Sequence, residues 1–183
     1  AVVMQWNSLF RTFAGILAGV LSPVVMIYYA KNELPKIVQM LKVSFKAMAI
    51  IMAISIGIVS AMAGDLLTIW MGEDFRHLEN LLLFSLIPLV INLAVLPLFA
   101  VNVAFNKIKI PGIVTLVLGA VNLLLAILLV TKTDLGLYAV ILAGAIVLTM
   151  KNTIFLPIYS AYILNLPKFT FMKYHLLGIS FFI

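Results

Sequence analysis

Five long, mostly apolar runs leave this chain few ways to fold. They cover residues 1–30, 47–71, 81–104, 110–130 and 135–164, and a sixth begins near 174. A helix needs about 20 such residues to cross a bilayer. Within lipid every backbone polar group must be satisfied inside the structure, which for separate runs of this length means helices. Residues 1–183 are therefore predicted to form a single all-α, polytopic transmembrane domain with five complete spans and the start of another. Composition agrees: 65% of residues are hydrophobic and only 10% charged, with a mean hydropathy of +1.25. Such values lie outside the range of soluble domains.

The charged residues give the spans an orientation. Lys31, Lys36, Lys42 and Lys46 lie between runs one and two, Lys107 and Lys109 between three and four, and Lys168 and Lys173 after run five. The alternate connectors carry only Arg76 and Lys132, beside Glu73, Asp74, Glu79 and Asp134. Eight cations against two is the asymmetry that marks cytoplasmic loops. The loops at 31–46, 107–109 and 168–173 are thus expected in the cytoplasm of a cell carrying this chain in its plasma membrane. The same pattern favours one long helix over 135–164, kinked at Pro157, because splitting it would put Lys168 and Lys173 outside. Residues 31–46 read either as an amphipathic surface helix, with Val38, Leu41 and Phe45 on one face, or as an extension of the second span. Pro23, Pro88, Pro97, Pro157, Gly119 and Gly144 fall inside spans, where helices bend or approach closely.

Two cations stand apart from this scheme. Arg11 and Lys151 sit well inside apolar runs, with no acidic residue within a turn or two. A charge at that depth costs roughly 3 kcal/mol on insertion scales and usually faces a protein interior or watery cavity. Buried positives without a buried negative suggest a path for something anionic. Arg11 belongs to a small or polar stripe, Asn7, Arg11, Gly15, Ala18 and Ser22, at helical spacing. Gly112, Thr115, Gly119, Asn122 and Ala126 form a second such stripe, which suits close helix packing, with Asn122 able to reach a cavity. Ser85, Pro88 and Asn92 share a face of span three, and Asn102 and Asn106 sit at its cytoplasmic end. In span five Lys151 and Asn152 are followed by Phe155, Tyr159 and Tyr162, a row suited to an anionic group attached to sugars. Tyr162 also fits an interfacial aromatic belt.

Catalytic and cofactor chemistry is not in evidence. His77 and His175 lack metal-ligand partners, no carboxylate pair lies within a span, and there is no phosphate loop or nucleophile elbow. No cofactor and no metal are expected. The chain has no cysteine, so disulfides and thiolate metal sites are excluded. Its +6 charge is accounted for by the loop lysines and implies no nucleic-acid partner. The chain opens without an initiator Met or a charged signal region and stops inside an apolar run, so a fragment of a longer protein is expected.

Three segments carry a family resemblance. Residues 65–75, DLLTIWMGEDF, look like the "lxxLWxGexF" element of polysaccharide flippases. Residues 97–111, PLFAVNVAFNKIKIP, resemble that family's turn between spans, and 135–144, LGLYAVILAG, resemble its "fGlxGaaiA" lead into the next. The chain thus resembles the polysaccharide and O-antigen flippases of the multidrug/oligosaccharidyl-lipid/polysaccharide exporter superfamily. The resemblance implies two six-helix bundles around a cavity that opens alternately to either side. This chain would be a C-terminal fragment, partnered by the remaining N-terminal bundle of the same protein.

The expected function is then a non-enzymatic transporter that flips a polyprenyl-pyrophosphate-linked oligosaccharide. Arg11 and Lys151 would hold the anionic head group, and Asn7, Asn122, Asn152 and Tyr159 would line the cavity. Membrane lipid, the lipid-linked glycan and a coupling ion (H+ or Na+) are the expected partners. A drug or cation antiporter of the same superfamily is the first rival, but it needs an acid at depth and these spans contain none. A membrane glycosyltransferase or polymerase would need larger loops bearing carboxylates or histidine.

Overall fold

A computed structural model describes residues 2–182. The helices in chain order are α1 (Val2–Gly19), α2 (Leu21–Ala30), α3 (Leu34–Ala61), α4 (Ala63–Met71), α5 (Glu79–Ala94), α6 (Phe99–Ala104), α7 (Lys109–Lys132), α8 (Leu137–Met150), α9 (Leu156–Ile163) and α10 (Lys173–Phe182). Among the described residues there is no strand. Five continuous helical stretches are long and apolar enough to cross a membrane: Val3–Ala30, Leu34–Ala61, Glu73–Ala104, Lys109–Lys132 and Leu137–Ile163. The protein is an all-α, multi-pass membrane protein.

Three of the four prolines expected inside spans coincide with breaks in helical geometry. Pro23 has no N–H to offer the Gly19 carbonyl four residues back, and α1 gives way to α2 at Val20. Pro97 sits in a 3-10 turn, Leu96–Leu98, that joins α5 to α6. Pro157 lies just beyond a π-helical turn, Lys151–Phe155, in which the Leu156 N–H bonds the Lys151 carbonyl five residues back. Pro88, by contrast, lies within an unbroken α5. The long apolar run from 135 is one helix with a wide turn in its middle, and that turn begins at Lys151.

The segment rich in lysines before the second span is an extension of that span. α3 runs unbroken from Leu34, and its buried residues, among them Ile37, Leu41, Phe45, Met52 and Ile56, recur at helical spacing along one stripe. The helix ends at Ala61, and α4 follows as a separate short helix closed by Gly72 at φ 99°.

The chain ends of spans one, three and five are built alike. Asn32, Asn106 and Asn165 each take a left-handed conformation, at φ 56°, 52° and 53°. Around each, two hydrogen bonds close the helix: Glu33 N–H to Tyr28 O and Asn32 N–H to Tyr29 O, then Lys107 to Asn102 and Asn106 to Val103, then Leu166 to Ala161 and Asn165 to Tyr162. These are Schellman closures, which satisfy the last carbonyls of a helix. Asparagine is the non-glycine residue best suited to that backbone, because its short amide tolerates the left-handed well. Because successive spans run antiparallel, all three closures fall at one end of the bundle, the lysine-rich one.

Span three is the hub. Most of its apolar stretch is buried, whereas in α7 only Pro111 is. One packed cluster, including Phe10, Met52, Ile56, Leu67, Leu82 and Leu86, joins spans one to three. A second, including Leu41, Phe45, Leu98, Leu156 and Phe171, joins the other end of the hub to α9 and α10. Phe45 packs edge-on against His175 at 5.0 Å. Since lipid tails are as apolar as leucine, shape complementarity and polar contacts, rather than escape from solvent, hold such helices together.

Candidate functional site

The polar side chains of the spans gather on the hub. Asn7 of α1 donates its amide Nδ2 to the Ser85 carbonyl of α5 at 3.2 Å, and the Arg11 Nε donates to Asn7 Oδ1 at 2.6 Å. The four-residue spacing puts the two on one helical face; the contact with α5 then orients Asn7, and Asn7 orients the guanidinium. Arg11 is itself exposed. Both residues line a cleft of ≈170 Å³ between α1, α5 and α8, together with Ser85, Pro88, Asn92 and Gly144.

Asn92, at the far side of that cleft, belongs to a second set of contacts. Its Oδ1 accepts from Asn152 Nδ2 at 3.0 Å, and its own Nδ2 donates to Thr149 Oγ1 at 3.3 Å. Asn92 lies in the last turn of α5, where helical carbonyls are least satisfied, and its carbonyl also accepts from Asn152 at 3.5 Å. Asn92 and Asn152 are both buried. Spans one, three and five are thus joined through Arg11, Asn7 and Ser85 on one side of the cleft and Asn92, Thr149 and Asn152 on the other.

Lys151 turns away from its neighbour Asn152. Its Nζ donates to Thr115 Oγ1 on α7 at 2.8 Å and lies 5.9 Å from the centre of the Phe99 ring. Thr115 in turn donates to the Pro111 carbonyl at 2.7 Å. Lys151 does not line the cleft that holds Arg11. Among the described residues the ion pairs are Lys36 with Glu33 and Arg76 with Asp65, so neither intramembrane cation has a carboxylate partner.

Asn122 and Tyr159 lie outside the cleft's lining. The Asn122 Oδ1 is buried without a hydrogen-bond partner among the described residues, and a methyl group at Gly144 would come within 4.0 Å of it. The close approach expected from the glycine stripe is not made by its own glycines: Gly112 and Gly119 are exposed, with open space where a Cβ would stand, and only Asn122 of that stripe faces Gly144. Tyr159 is buried, and its hydroxyl donates to the Lys107 carbonyl at 3.3 Å. Its ring joins Phe155 and Tyr162 along a separate groove.

Thr149 was missed in the sequence. It stands three residues before Asn152, one helical turn on the same face, which was a usable signal. Ser85 and Asn92 were visible as a shared face but not as contact points for other spans. No group of three or more His, Cys, Asp or Glu side chains able to hold a metal occurs among the described residues.

Comparison with known proteins places the chain beside an uncharacterized membrane protein, EpsK, of Bacillus subtilis (strain 168). The two are 38% identical over 173 residues, which is 94% of this chain and 34% of that protein. The chain therefore spans about a third of the length of this relative. No family model matches. No solved structure matches either.

Proposed function

We propose that this chain is part of a non-enzymatic transporter that moves a polyprenyl-pyrophosphate-linked oligosaccharide across the membrane by alternating access. The observation that carries the reading is the pair of intramembrane cations with no carboxylate partner among the described residues. Arg11 contacts an amide and Lys151 a hydroxyl, and both partners are neutral, so neither contact offsets the positive charge offered to an anionic ligand. A cation exporter would call for the opposite sign at this depth.

In this reading Arg11 and Lys151 attract the pyrophosphate from two sides of the hub. Asn7 and Asn152 orient the polar seam, while the unpaired Asn122 Oδ1 offers an acceptor to a sugar hydroxyl. The cleft at Arg11 is smaller than a typical ligand pocket, so it serves as one wall of a site that further chain completes. The relative's greater length supports that arrangement. The lysine-rich end faces the cytoplasm, where lipid-linked precursors would load. Rocking of the bundles then exposes the site to the other side. A coupling ion such as H+ or Na+ would drive the cycle, and no bond is made or broken.

The test is charge reversal in the full-length protein. Arg11→Glu and Lys151→Glu, separately and together, should each lower glycan export at least tenfold, while membrane abundance stays at the parental level. Export that survives both changes overturns the anionic-site reading.

A further inference from the structure

The lower end of span five carries a groove that the transport reading leaves unused. Its floor is a row of rings: Phe155 and Tyr159 lie 5.4 Å apart with planes at 13°, and Tyr159 and Tyr162 lie 6.4 Å apart at 25°. Ile154, Ile158 and Leu166 complete the apolar lining, and the groove has a volume of ≈670 Å³. Because the Tyr159 hydroxyl is held by the Lys107 carbonyl, that ring offers its face rather than its polar edge. One end of the groove is different in kind. There Asn165 turns the chain through its left-handed closure, and Asn165 and Lys168 both line the mouth.

We propose that this groove is a binding site for an anionic phospholipid. The acyl chain lies along the rings and the two isoleucines, and the phosphate meets Lys168 and Asn165. A lining that is apolar along its length and cationic at one end complements an amphiphile with a negative head. The charge of the surroundings agrees. Eight lysines lie toward this end of the bundle against one acid, Glu33, and Glu33 is already paired with Lys36 at 2.8 Å. Among the described residues no carboxylate pairs with Lys168, which leaves its ammonium for a phosphate. A sugar is a poorer occupant. Stacking sites for sugars need polar groups beside the rings to take up hydroxyls, and here Ile154, Ile158 and Leu166 flank the rings while Asn165 and Lys168 are confined to one end. The assignment holds whatever the cleft at Arg11 carries.

The full chain, purified in detergent, is mixed with equal amounts of phosphatidylglycerol and phosphatidylcholine of the same acyl composition. Bound lipid is then counted by native mass spectrometry. Phosphatidylglycerol should be preferred about fivefold, the equivalent of one cation at an anionic lipid surface. Lys168→Gln should abolish most of the preference and leave phosphatidylcholine binding unchanged, while Lys46→Gln, outside the groove, should leave the preference intact. Phe155→Ala with Tyr162→Ala should reduce both lipids; if that variant misfolds, Lys168→Gln still decides. Equal binding of the two lipids, or a preference untouched by Lys168→Gln, overturns the proposal. So does displacement of the lipid by an equal concentration of soluble glycerol phosphate, which would mark a plain phosphate site.

Discussion

Asn92 has the widest reach of the polar side chains in the spans. It contacts both Asn152 and Thr149 and lines the cleft beside Arg11. Hydrogen bonds between membrane helices average about 0.6 kcal/mol, with the strongest near 1.7. Asn152→Leu should therefore lower stability by about 1 kcal/mol, because it also strands the Asn92 amide oxygen. Reversible unfolding in mixed micelles would read this, and an unchanged stability would show that the contact is idle. Legibility at this scale followed sequence distance. Asn7 and Arg11 are four apart, so helical spacing alone brought them together. Asn92 and Asn152 are sixty apart, and no local rule pairs them. Lys151 is instructive in the same way. Its depth in the span was readable from hydropathy, but its direction toward Thr115 depends on how α7 packs on α8, which is a tertiary matter.

Among the elements, the π turn and the three asparagine closures have the clearest physical causes. Proline positions announced most of the irregularities, since a missing N–H frees a carbonyl wherever it occurs. Pro88 shows the limit of that rule: α5 is buried among its neighbours there and continues. The asparagine closures carry a sharper expectation. Left-handed backbone costs a residue with a Cβ roughly 1–2 kcal/mol, and asparagine relieves part of that. Asn106→Ala and Asn165→Ala should each destabilise by about 1 kcal/mol, whereas the corresponding glycine variants should match the parent or exceed it. Thermal unfolding of the parent and the four variants in one detergent checks this, and alanine variants as stable as the glycine ones would contradict it. The extended α3 was half readable: apolar residues at helical spacing were evident before residue 47, but lysines between them fitted a surface helix equally well. What decides the matter is the contact of Ile37, Leu41 and Phe45 with the second packed cluster.

At the scale of the molecule, charge divides the bundle. Eight lysines and one glutamate lie toward one end, and five acids with Arg76 and Lys132 toward the other. Residues 1–183 contain no cysteine, so single cysteines placed among them report sidedness once any elsewhere in the full protein are replaced. Single cysteines at Lys107 and Lys168 should resist an impermeant thiol reagent in intact cells and react after lysis, while one at Lys132 should react in both. The reverse pattern would invert the proposed orientation. Helix number and membrane class were legible because lipid imposes length and hydropathy on every span. The central place of span three was not, because all five runs are similarly apolar and only packing distinguishes hub from rim.

The uncompensated state of Arg11 and Lys151 has an electrical consequence. A paired charge carries its counter-ion along, so a displacement of the pair is nearly neutral. An unpaired one does work against the membrane voltage, about 2.3 kcal/mol for each elementary charge carried across 100 mV. Any rearrangement that shifts these two side chains along the membrane normal is therefore biased by the resting potential, even before a ligand binds. Lys151→Met, which keeps the unbranched shape of the side chain up to its last atom and removes its charge, should flatten the dependence of transport on an imposed potential in vesicles.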